Sequence, residues 1–179
     1  MKKDFDFIVS LMTSFVKQKH IQNRLNFIDN HYVTGWETWL QIEFAHFINS
    51  HENVSEWSRE DQFSTDKRKS KFKDKIAIDF LVRQKGFSKD KYIALELKQH
   101  YSIETCIAYM MDDIAKLDNV KLSETNFRSF WNIGIHPRDN KTTIKNKIIK
   151  KMKQKDIDLY NEFREIRYIP STSYAFTIF

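Results

Sequence analysis

The sequence predicts an α/β (α+β) fold: a central mixed β-sheet of about five strands flanked by helices, formed as a single domain over residues 1–179. Three observations predict it. Apolar residues recur at helical spacing in four segments, runs of strand length and strand composition recur in five, and the two kinds alternate along the chain. The order is helix, helix, three strands, helix, strand, helix, strand.

In chain order, Phe5, Ile8, Met12 and Phe15 mark an amphipathic helix, the start of an N-terminal helical extension over residues 1–30 that packs on the core. A polar link follows. GWETWLQIEFAHFINS gives a helix from about Trp36 to Asn49 with Thr34 as its N-cap. Trp36, Leu40, Glu43 and Phe47 share its most apolar stripe, while Glu37 lies on another face near Gln41 and Phe44. VSEWSREDQF, Val54 to Phe63, is a first strand. KIAIDFLVRQKGFSKDKYIALELKQ, Lys75 to Gln99, is a hairpin of two strands joined by a polar turn. Tyr101 or Ser102 opens a helix to about Leu117 with a buried stripe at Ile103, Ile107, Met110, Ile114 and Leu117. FRSFWNIGI is a strand stopped by His136 and Pro137. A basic amphipathic helix runs from about Thr143 to Arg164 with a break near Lys155 or Asp156, and SYAFTIF is a terminal strand.

A chain of 179 residues, 41% hydrophobic and 15% aromatic with only three Gly and two Pro, is ordered and globular. At this length roughly 70% of the unfolded surface can be buried. The single Cys106 excludes an internal disulfide and a Cys-based zinc site and points to a reducing, cytoplasmic setting. Asp4 and Asp6 interrupt the start of any signal peptide, and no run reaches the roughly 20 apolar residues of a membrane span. The expectation is a soluble protein with no membrane partner.

The net charge of +6 favours a polyanion as partner. Its distribution says more than its size. Lys67, Arg68, Lys69, Lys71 and Lys73 crowd the approach to the hairpin, and seven lysines, among them Lys145, Lys150 and Lys151, lie between Lys141 and Lys155. Each cluster is either a solvated face or a set of phosphate contacts.

The hairpin carries the chemistry. If Lys85 to Asp90 form its loop, Gln84 pairs with Lys91, and the same register sets Asp79 opposite Glu96. Both then share one face with Lys98, while Ile78, Phe80, Val82, Ile93, Leu95 and Leu97 take the other as core. Two carboxylates beside a lysine are what metal-dependent phosphodiester hydrolysis requires. The plainer reading is a cross-strand charge pair on a solvated face, bridged by Lys98.

An acid on a leading helix, then Asp79, seventeen residues later Glu96, then Leu97 and Lys98, resembles the PD-(D/E)xK nuclease superfamily of restriction endonuclease-like, recombination and repair nucleases. The likeness covers roughly Trp36 to Ile135. Ile78 stands where the motif has Pro, and Thr105 and Tyr109 keep the spacing of the exonuclease Gln and Tyr but lack the Gln. The resemblance implies a restriction endonuclease-like core and a DNA endonuclease. Asp79, Glu96 and the Leu97 carbonyl would hold Mg²⁺, with Mn²⁺ as a substitute. Glu43 would complete the metal shell, and Lys98 would orient or deprotonate the attacking water or supply positive charge, the last being the favoured role. DNA is the expected partner, and a double-strand cutter with one such site implies a homodimer. The alternative is a catalytically inactive nucleic-acid-binding or regulatory module. For Glu43 the plain reading is a hydrogen bond to Trp36, Trp39 or a lysine. Asp112 and Asp113 are read as partners of Lys116, and Trp57 and Trp131 as core.

Overall fold

A computed structural model describes residues 1–66, 75–88, 91–117, 119–120, 127–157 and 161–179. Six strands form one mixed sheet, in the order β1 (Val54–Ser64), β2 (Lys75–Gln84), β3 (Tyr92–Gln99), β4 (Phe127–Pro137), β6 (Tyr174–Ile178), β5 (Glu165–Tyr168). Only β3 and β4 run parallel, and α4 (Ile103–Leu117) joins them. A parallel pair needs such a crossover, and the helix that supplies it is laid back over the sheet.

One face of the sheet is covered by α1 (Lys2–Val16), α2 (Lys19–Asn30) and α3 (Glu37–Asn49). Their Ile8, Leu11, Met12, Phe15, Leu25, Leu40, Phe44 and Ile48 are packed against Phe80, Val82, Ile93, Leu95, Leu97 and Trp131. Trp131 is core, as expected; Trp57 is half-buried against the same cluster and donates to Asn49 Oδ1 at 3.2 Å. The other face carries α4 and α5 (Lys141–Lys155). Gly134 on β4 allows α4 its close approach: a Cβ there would run into the Met110 sulfur and stand 2.9 Å from Cys106 Sγ. Among the described residues, no helix is long and apolar enough to cross a membrane.

Four elements depart from the sequence reading. The polar link contains α2, whose Ile21, Leu25 and Ile28 form a narrow buried stripe in an otherwise polar segment. α3 begins after Trp36 with no side-chain cap, because Gly35 at φ +70° turns the chain just before it and leaves Thr34 outside. α5 ends at Lys155, at the break expected there, where Asp156 takes the left-handed conformation; the departure is that the described residues beyond it do not resume the α-helix and a sixth strand, β5, follows. The fourth is Ile78, which is buried against Phe63, Leu81, Ala94 and Val120 and not beside Phe80. β1 and β2 keep their register through this point, but Glu60, opposite Asp79, has φ +56°. The two-stranded ribbon turns over there, so residues of one parity serve different clusters on either side.

Candidate functional site

The hairpin register is Phe80 to Leu95, Leu81 to Ala94 and Val82 to Ile93, the count that sets Asp79 opposite Glu96. The ladder stops at Phe80. Past that point β2 follows β1 away from β3, and Asp79 Oδ2 takes the Leu97 N–H at 2.8 Å. A side-chain carboxylate thus replaces the missing strand partner of a buried backbone donor.

Glu96 and Lys98 project from β3 toward α4. Lys98 Nζ stands 3.0 Å from Glu96 Oε2, 3.1 Å from Asp113 Oδ2, and 3.9 Å from both Asp79 Oδ2 and Glu37 Oε1. Four carboxylates from three elements besides β3 itself meet one ammonium. Glu96 is 6% exposed and Asp113 2%. Glu37 reaches the cluster from the first turn of α3, which begins beside the end of β3, and its carboxylate takes a hydrogen bond from the Gln99 backbone.

Burial first, and the crowding of charge second, set the protonation of the cluster. Burial, followed by the Asp79 charge and opposed by Lys98, pushes the Glu96 carboxyl up to about 8. Burial also raises Glu37, against the pull of Lys98. For Lys98, burial acts to lower the pKa, but Glu96, Asp113, Asp79 and Glu37 together outweigh it, and the ammonium is held charged well past its ordinary range. Cys106, on the buried face of α4 against Gly134, has its thiol pushed up to about 12 by burial, which makes it no nucleophile at neutral pH.

Glu43 does not join this group. It accepts a hydrogen bond from Trp39 Nε1 at 3.1 Å and faces His20 Nε2 of α2 at 3.5 Å, about 1.7 helical turns from Glu37. The helix acid at the cluster is Glu37. The apolar stripe around Glu43 made it the better candidate in sequence, yet a residue at a helix end reaches round the sheet edge irrespective of the stripe. Asp113 was also underrated: it pairs with Lys116, as read, but its second oxygen faces Lys98. Asp112 pairs with Lys155 and not with Lys116. Asn132 had no sequence signal. It lies beside Glu96 in the β3–β4 ladder, fully buried, with both amide atoms lacking a hydrogen-bond partner among the described residues.

Of the basic clusters, Lys67, Arg68, Lys69, Lys71 and Lys73 lie outside the described residues. On α5, Lys145 and Lys150 are exposed and Lys151 is half-buried, whereas Lys147 and Lys155 bond Glu104 and Asp112 on α4. Among the described residues, no three His, Cys, Asp or Glu side chains are grouped so as to hold a metal ion by themselves. Comparison with protein-family models, with curated proteins and with solved structures finds no match to this chain.

Proposed function

We propose that this chain hydrolyses phosphodiester bonds of DNA as a metal-dependent endonuclease, with Asp79, Glu96 and Lys98 at the reacting centre and Glu37 as the helix acid. The observation that carries the reading is the meeting of Glu37, Asp79, Glu96 and Asp113 around the Lys98 ammonium at the end of β3. Four acids against Lys98, with Lys116 on Asp113 as the second base, leave net negative charge, and burial together with the Asp79 charge drives Glu96 to retain a proton.

The donor set suits a hard divalent cation. Mg²⁺ takes oxygen ligands, keeps several of its own waters and needs only one or two protein carboxylates, so a closed cage of three is not required. Asp79 and Glu96 would hold it, with Mn²⁺ as substitute. When bound, such an ion activates water and offsets charge developing on the phosphoryl oxygens. Lys98, held as an ammonium, contributes positive charge beside the phosphate and is unsuited to act as base. Asp113, buried on α4, fixes where that ammonium sits. Two copies of the chain would present one such centre to each strand of a duplex.

The test is cleavage of plasmid and linear DNA with Mg²⁺ or Mn²⁺. Asp79→Ala and Lys98→Ala each lower the rate by about 10²-fold or more, the usual loss when a charge-stabilising group is removed. Glu37→Gln lowers it as well, and Glu43→Gln leaves it unchanged. Equal rates for wild type, Asp79→Ala and Lys98→Ala refute the assignment. The exposed lysines of α5 support a second reading, a nucleic-acid-binding module without hydrolysis, which predicts salt-sensitive DNA binding that ignores divalent cations.

A further inference from the structure

Beside the carboxylate cluster the surface opens into a cleft of about 420 Å³, lined by the loop before α3 (Tyr32, Val33, Gly35, Trp36), the end of β3 (Gln99, His100, Tyr101) and Tyr174. The cleft adjoins the cluster at the end of β3 without sharing a lining residue with it: Trp36 precedes Glu37, Gln99 follows Lys98, and the Glu37 carboxylate takes a hydrogen bond from the Gln99 backbone. The lips of the cleft are unusual. Tyr32 is 90% exposed and Tyr101 77%, and with Val33 they make three of the eight large apolar side chains exposed among the described residues. Tyr101 lies flat on the His100 ring, centroids 4.3 Å apart at 28°, and Tyr109 meets the other edge of His100. His100 Nδ1 accepts the Ser102 N–H, which leaves Nε2 carrying the ring's proton as a free donor.

Rings held open to water next to a charged reaction centre call for a flat, polar-edged ligand. We propose that this cleft receives one unpaired nucleobase of the DNA strand being cut, stacked against Tyr101 or Tyr32, with Gln99 and His100 at its polar edge. The inference rests on the phosphodiesterase reading, because a strand whose phosphate lies at Lys98 passes the end of β3, where the cleft begins at Gln99. The volume is near the lower limit of ligand sites and admits a single base but no duplex. The preferred substrate is therefore single-stranded or locally opened at one side of the scissile phosphate, and stacking, which every base can supply, makes the preference indifferent to sequence.

Fluorescence anisotropy with a labelled single-stranded oligonucleotide, in Ca²⁺ to withhold cleavage, tests this. Tyr101→Ala and Tyr32→Ala each weaken binding by roughly 5- to 150-fold, the span of one lost base stack, and Tyr101→Phe restores it. Both rings are exposed, so the variants fold as wild type does. An oligonucleotide with scanned abasic positions shows one position whose loss costs affinity in wild type and nothing in Tyr101→Ala. Unchanged binding in both alanine variants, or no single-strand binding by wild type, overturns the cleft and marks it instead as a seat for some other group, such as a partner's aromatic side chain. The two readings separate cleanly. Binding that needs Tyr101 without any cleavage keeps the cleft and removes the hydrolase, and cleavage indifferent to both tyrosines does the reverse.

Discussion

Two buried acidic sites hold this sheet in opposite ways. Toward the start of β4, Asp4 of α1 takes hydrogen bonds from Arg128 Nε at 3.0 Å, Arg128 Nη2 at 2.7 Å and Ser129 Oγ at 2.8 Å, while the guanidinium rests on the Phe87 ring at 3.6 Å. One negative charge meets one positive charge and both carboxylate oxygens are occupied. At the end of β3, four carboxylates meet Lys98, only Asp113 has a second lysine among the described residues, in Lys116, and Glu96 is pushed up to about 8, chiefly by burial. A balanced, saturated pair holds α1 to the core; an unbalanced one is where the proposed cation would bind. On the proposed function, fold and activity are thus separated along the strands, and each should break without the other.

The largest effect on stability should come from the balanced site. Asp4→Ala strands the Arg128 guanidinium under α1 and costs about 3–5 kcal/mol, the range for removing one partner of a buried pair. For a chain of this size that lowers Tm on the order of 10 °C. Denaturant unfolding measures it. Glu96→Gln, which removes a charge the fold itself resists, should leave stability at neutral pH equal or higher.

The pH dependence sharpens the contrast. Because Glu96 binds its proton more tightly folded than unfolded, its contribution is present below its ordinary 4.5 and is lost as pH rises toward about 8. Stability of the metal-free protein therefore falls across that window, and Glu96→Gln flattens the fall. Thermal scans from pH 4 to 9 read both. On the proposed function a divalent cation would take the proton's place in the same window, so at 100 times its dissociation constant Mg²⁺ or Mn²⁺ should stabilise wild type by about 2.7 kcal/mol and the glutamine variant by much less.

The legibility of these two sites in the sequence differed for physical reasons. The hairpin register followed from period-two alternation and a six-residue turn, and it brings Asp79, Glu96 and Lys98 to one place. Of the described elements, α1, α3, α4, α5 and every strand but β5 were legible by the same periodicities, and α2, with its narrow buried stripe, was not. Glu37 and Asp113 were not, because what brings them to Lys98 is the docking of α3 and α4 on the sheet, a tertiary fact; Gly134, whose missing Cβ lets α4 settle, was silent until its neighbours were known. The Asp4–Arg128 pair joins residues 124 apart in sequence, and no local pattern announces it. β5, four residues long and charged at both Glu165 and Arg167, is stabilised by β6 and not by its own composition.

The smallest effect separates used from unused lysines on α5. Lys147 and Lys155 are engaged by Glu104 and Asp112 across the α4–α5 seam, while Lys145 and Lys150 are exposed. A lysine that neutralises a phosphate releases a counterion, and each such contact adds about 0.9 to the slope of log affinity against log salt on duplex DNA. Lys145→Gln and Lys150→Gln should each lower that slope by about that amount if α5 tracks the backbone. Lys147→Gln and Lys155→Gln should leave it in place, since their charge is already answered within the protein. Binding titrations at four salt concentrations distinguish the two sets. Equal slopes for all four variants would confine the DNA contact to the sheet edge and remove α5 from it.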